Sequence, residues 1–143
     1  SPDDALCLDP SPSWPVLGTL NDRAYGLPAG TFGQVLAGMR DPWMRVFVAL
    51  LDGDPVAGLA THEDPEGDCG LAFVATVPEA RGRGLAGALV RHALRAARRR
   101  GCDSASLEAS ALGEPVYARL GYRAVGQVRM FERREGAGIP TSP

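Results

Sequence analysis

The chain has 143 residues, 45% hydrophobic and 22% charged, a balance that excludes wholesale disorder and suits one domain with a real core. A net charge of −2 excludes a polycation that grips nucleic acid by bulk electrostatics, so no nucleic-acid partner is expected. Cys7, Cys69 and Cys102 form no CxxC pair and no apolar run reaches membrane-span length, so a zinc site, a disulfide framework and a membrane anchor are not expected and a reducing cytoplasm is.

In chain order, residues 1–15 carry prolines at 2, 10, 12 and 15 and read as a tail, with a weak first strand over 5–8 as its one regular element. The domain is expected over 16–134 and a loose end over 135–143. Short helices are predicted over 17–25 and 32–39, with Gly26, Pro28 and Gly30 between them. That junction reads equally as a substrate lid or as an ordinary surface connection. A meander of three antiparallel strands follows over 45–51, 55–62 and 69–77, punctuated by Asp52-Gly53-Asp54-Pro55 and by the acidic turn 63–68. The third strand is nearly all small or apolar, which suggests burial on both faces.

Residues 84–100 form the clearest amphipathic helix. Leu85, Leu89, Ala93 and Ala97 make one row, with Arg91, Arg95, Arg98 and Arg99 opposite, and Gly101 is placed to end it. A strand over 103–109 is then reached by a helical crossover and is expected parallel to 69–77. A short helix over 114–120 and one or two strands over 122–133 complete the series.

The stretch with chemical content is Val77-Pro78-Glu79-Ala80-Arg81-Gly82-Arg83-Gly84-Leu85-Ala86-Gly87. It passes from a strand through a glycine-bearing turn into a helix N-terminus, where unpaired N–H groups and the positive dipole end suit phosphate oxygens. Gly82, Gly84 and Gly87 let a ligand approach the backbone, and Arg81 and Arg83 add charge. The bland alternative is a tight turn whose glycines only satisfy local geometry. Residues 82–87 also spell GxGxxG, with Asp103 or Glu108 placed for a ribose, which would be a dinucleotide turn. Against that reading, four residues separate the strand from the first glycine, and the strand arises from an antiparallel meander.

VPEARGRGLAGAL resembles the acyl-CoA diphosphate loop of the GNAT superfamily of N-acetyltransferases, Q/R-x-x-G-x-G/A, filled here by Arg81, Gly84 and Ala86. Residues 110–122 are similar to the family's last helix, N-x-x-A-x-x-L-Y-x-x-x-G-F, with Tyr117 four residues before Gly121 and Ser110 in place of the usual Asn. The resemblance implies an α/β (α+β) fold: a mixed, mostly antiparallel sheet with a splayed parallel strand pair, flanked by helices. It implies transfer of an acetyl group from acetyl-CoA, as co-substrate and without a metal, to a primary amine of a small molecule or protein by direct attack. Monomer and homodimer stay open.

The same resemblance assigns the donor site. Backbone at Ala75, Thr76 and Val77 would pair with the pantetheine amides, and Arg81, Gly82, Arg83, Gly84, Leu85, Ala86, Gly87 and Ser110 would complete the cofactor contacts. Tyr117 is the expected acid for the departing thiolate; between a phenol near pKa 10 and a thiol near 8.5 the transfer is uphill by about 2 kcal/mol. The base is expected to be Glu108 first and Glu63 second, because a lysine-like amine carries a deprotonation deficit of about 4–5 kcal/mol at neutral pH. His62 and His92 lack ligand partners, and His92 is expected in solvent. The other readings are a non-catalytic acyl-CoA-binding module, or one half of a longer tandem protein, and the dinucleotide-binding domain.

Overall fold

Ser13 opens the first helix: its Oγ accepts from the Val16 N–H at 3.4 Å, and Pro15 sits in the first turn, where no N–H is needed. Helix α1 is Trp14–Tyr25, so it starts inside the segment expected as a tail. It ends at Gly26, whose φ of 65° is the left-handed cap that glycine adopts without strain. The computed structural model describes residues 6–109, 113–129 and 131.

Before α1 lies strand β1, Cys7–Leu8, and after it the short helix α2, Thr31–Leu36. Strands β2 (Met44–Leu51), β3 (Asp54–Glu63) and β4 (Asp68–Thr76) follow. The β2–β3 hairpin turns on Asp52 and Gly53 with φ of 51° and 84°, the left-handed pair that matches strand twist. A 3₁₀ turn, Pro78–Ala80, leads to helix α3, Leu85–Arg99, then strand β5, Ser104–Ser106, and helix α4, Glu114–Arg119. The sheet order is β1-β2-β3-β4-β5, antiparallel except for the parallel β4–β5 pair. A doubly wound dinucleotide domain needs a mostly parallel sheet, and this one is antiparallel in three of its four pairs, so the topology overturns that reading.

Alternation along β3 sets the layers. Ala57 and Leu59 join Leu89, Val90 and Ala93 of α3 on one face. Val56 and Ala60 face the other way, packing with Leu20 and Leu17 of α1 respectively. Helices therefore cover both faces of the sheet, and burying each such leucine contributes about 1.5–3 kcal/mol. The strand buried on both faces is β3, not β4 as expected, because β4 loses its outer neighbour halfway along. Residues 122–129 form no strand, contrary to expectation; Val125 is 92% exposed, so this stretch packs too little apolar surface to hold a ladder. Residues 130, 132 and 133 of that expected strand lie outside the described residues. Among the described residues no helix is long and apolar enough to cross a membrane.

Candidate functional site

Strand β5 pairs with β4 only at Asp68↔Ser104, Cys69↔Ala105 and Gly70↔Ser106. Beyond Gly70, β4 runs on to Thr76 with no partner on that side among the described residues, which opens a gap. Parity decides which groups face it. Val77 N–H donates to Val56 O at 2.9 Å, and with Gly58↔Ala75 in register the inward residues are Ala75 and Val77. A residue's N–H and C=O leave a strand on the same edge, so Val74 and Thr76 present theirs to the gap. Val77 is fully buried with its N–H engaged in the sheet; its amide, expected as a ligand contact, is spent on β3.

Upstream, β4 carries a bulge. Phe73 adopts a φ of 55°, the β3–β4 register slips between Gly58 and Ala60, and buried Asn21 donates to Phe73 O at 3.1 Å and to Leu17 O at 3.0 Å. Phe32 stacks edge-on against Phe73 with centroids 6.1 Å apart. Asp22 accepts from the N–H groups of Gly30 at 2.9 Å and Phe32 at 2.8 Å. The α1–α2 junction, undecided in sequence between lid and connection, is thus tied to the bulge at both ends.

Gly82 and Gly84 sit at φ of 78° and 73°, conformations strained for any side chain. Gly84 caps α3 without a side-chain hydrogen bond. Among the described residues no backbone carbonyl accepts from the N–H groups of residues 82–87. The turn is exposed and Leu85, Ala86 and Gly87 are half-buried, and these N–H groups have the helix dipole behind them. Arg81 does something else. Its Nη2 donates to Ala24 O at 2.6 Å and its Nε to Thr76 O at 3.3 Å, bracing α1 against the end of β4. Arg83 stands exposed on the turn.

Ala75, Thr76, Arg81, Ala86 and Tyr117 meet in one cleft of about 260 Å³, joined by Ala24, Tyr25, Val74 and Val116. Pro115 sits in the first turn of α4, and the chain reverses after the helix with Tyr122 N–H on Tyr117 O at 3.1 Å. The Tyr117 and Tyr122 rings then stack edge-on at 5.9 Å. Burial raises the Tyr117 phenol above its ordinary 10.0, with Tyr25 adding to the shift, so the group stays protonated through neutral pH.

The carboxylates fare differently. Glu63 is buried and forked onto Arg100 (Arg100 Nε to Oε2 at 2.8 Å, Nη2 to Oε1), with Arg45 Nε at 3.7 Å. Hydrogen bonding from Arg100 outweighs burial and holds its pKa below the usual 4.5. It pairs with Cys69 at the start of β4, about 20 Å along the strand from Thr76, in a separate hollow of about 360 Å³ with Trp43 and Cys102. A paired carboxylate at the far end cannot serve this cleft, which removes Glu63 as a base. Glu108 is exposed beyond the end of β5 and does not line the cleft. Ser110 lies outside the described residues. His92, expected in solvent, is partly buried edge-on to Phe47 at 5.8 Å, and burial followed by Arg99 and Arg95 lowers its pKa.

Sequence reasoning missed Tyr25, Val74 and Asn21. Period-two counting back from Thr76 would have found Val74; nothing local marks the other two.

A sheet that opens on its parallel side, feeding an uncapped helix start, is the frame of an acyltransferase. Residues 8–122 match the model of the acetyltransferase (GNAT) family, and the chain belongs to that family. Among curated proteins none matches it significantly in sequence. Solved structures share its fold. An acetyltransferase of Trypanosoma brucei superposes with a TM-score of 0.69 at 20% identity, covering 90% of this chain and 99% of that one. The ribosomal-protein-S18-alanine N-acetyltransferase of Escherichia coli gives 0.69 at 21%, covering 81% and 76%. AAC(6')-Iy, solved with the bisubstrate analogue CoA-S-monomethyl-acetylneamine, gives 0.68 at 18%, covering 90% and 99%.

Proposed function

We propose that the protein transfers the acetyl group of acetyl-CoA to a primary amine by direct attack in a ternary complex. The observation that carries this reading is the row of unengaged amides at 82–87 beside the outward main chain of Val74 and Thr76. A diphosphate fits the first and an amide-bearing arm pairs with the second. Within the loop, Gly82, Gly84, Leu85, Ala86 and Gly87 supply backbone, Arg83 supplies charge and Arg81 shapes the gap; Ala75 lines it, and Ser110 keeps its expected contact.

In the reaction the amine nitrogen bonds to the thioester carbon and the C–S bond breaks. Tyr117 gives its phenolic proton to the leaving thiolate and recovers one from solvent. The amine's proton leaves through water to Glu108, which is proposed to act at one remove because of its exposure. AAC(6')-Iy, solved with its CoA-linked bisubstrate analogue, and the ribosomal-protein-S18-alanine N-acetyltransferase, named for an alanine of a protein, support a small-molecule or protein amine as acceptor. Free Cys7, Cys69 and Cys102 fit a reducing cytoplasm, and the chain works as a monomer or a homodimer.

The test is release of free CoA thiol from acetyl-CoA across a panel of aminoglycosides, polyamines and peptides with free N-termini. Turnover with at least one class is expected. CoA binding without turnover on any amine would overturn the catalytic reading.

A further inference from the structure

Tyr25 ends α1 with its side chain largely in the open cleft, yet its hydroxyl is not left to water: it donates to Val74 O at 2.9 Å. Val74 is one of the two residues whose main chain faces the gap. The carbonyl of the other, Thr76, is held by Arg81, which also grips Ala24 one residue before Tyr25. Both outward acceptors are therefore already taken, and both ties lead into the last turn of α1.

We propose that Tyr25 is a latch on the acyl-donor edge: its hydroxyl holds the Val74 carbonyl in the free protein and yields it when the donor's amide arm pairs with β4. This rests on the acetyl-CoA reading above. A carbonyl has two lone pairs, but the ring that delivers the hydroxyl lines the same cleft, so the arm and the latched ring compete for one place. Release is undemanding, because the phenol exchanges one hydrogen bond for another with water. The latch covers a strand edge that would otherwise invite pairing with another chain, and it sets donor affinity below what the bare edge would give.

The test compares wild type with Tyr25→Phe by calorimetric titration of CoA and of ADP, which carries the diphosphate without the pantetheine arm. Tyr25→Phe is expected to bind CoA about 2–10-fold more tightly, the worth of one hydrogen bond, and ADP as wild type does. Unchanged or weaker CoA binding, or equal tightening for ADP, overturns the latch. If wild type and variant both bind neither ligand, the acyl-donor reading itself has failed and the latch falls with it. A measurement on wild type needs no variant: the Tyr25 ring resonance in tyrosine-labelled protein is expected to move with CoA and not with ADP. A resonance indifferent to CoA overturns the proposal.

Discussion

Tyr117 is half-buried and Glu63 buried, and their surroundings push these two titratable groups towards opposite work. Burial keeps the Tyr117 phenol protonated, as a proton donor must be. Tyr117→Phe is expected to lower kcat by about 10²–10⁴-fold while CoA affinity and melting temperature stay near wild type; full activity in the variant would remove the assignment. With its pKa above 10.0, the wild-type pH–rate profile is expected to show no loss from this group below that value. Glu63 contributes to stability instead. Its folded pKa lies under the usual 4.5, so the fork with Arg100 stabilises fully above that pH and is lost as pH falls through the lower folded value. Glu63→Gln is expected to cost about 1–2 kcal/mol in denaturant melts at neutral pH, since Arg100 stays partly solvated, and the gap from wild type to close below pH 4.5. From sequence Glu63 stood second to Glu108 as a base and its pairing was not foreseen, because a carboxylate's partner thirty-odd residues away leaves no local mark. Tyr117 was singled out only by resemblance to the family motif, in which a tyrosine stands four residues before the glycine found here as Gly121.

Among the elements, those governed by local chemistry were readable and those governed by contacts were not. The periodicity of α3 and its Gly101 end, the Asp52-Gly53 turn and the three meander strands all answer to nearest neighbours. The start of α1 was misplaced because its prolines were read as breakers, although Pro15 behind Ser13 is a helix opening. The splay of β4 from β5 was expected only by family resemblance, and the bulge at Phe73 was not expected at all, since it depends on Asn21 from a distant helix. Packing of α1 on α2 depends on Gly18, where a Cβ would come within 2.9 Å of Gly33 N and 3.0 Å of Gly33 Cα. Gly18→Ala is therefore expected to lose about 1–3 kcal/mol of stability, measured by urea unfolding. A neutral result would mean the two helices are free to slide apart.

At the scale of the molecule, three layers converge on one opening. The α3 layer brings a helix start with no side-chain cap, the sheet brings an edge without a strand partner among the described residues, and α1 brings the groups that brace that edge. Recognition of the acceptor answers to contacts with ligand that no local pattern encodes, which is why the amine itself was not legible. The most direct measurement is a ¹H–¹⁵N correlation spectrum of labelled protein titrated with CoA. The largest amide shifts are expected within residues 82–87 and at Val74 and Thr76. Shifts centred instead on the hollow of Trp43, Glu63 and Arg100, or no shifts at all, would contradict the assignment of this edge and turn as the place where the acyl donor binds.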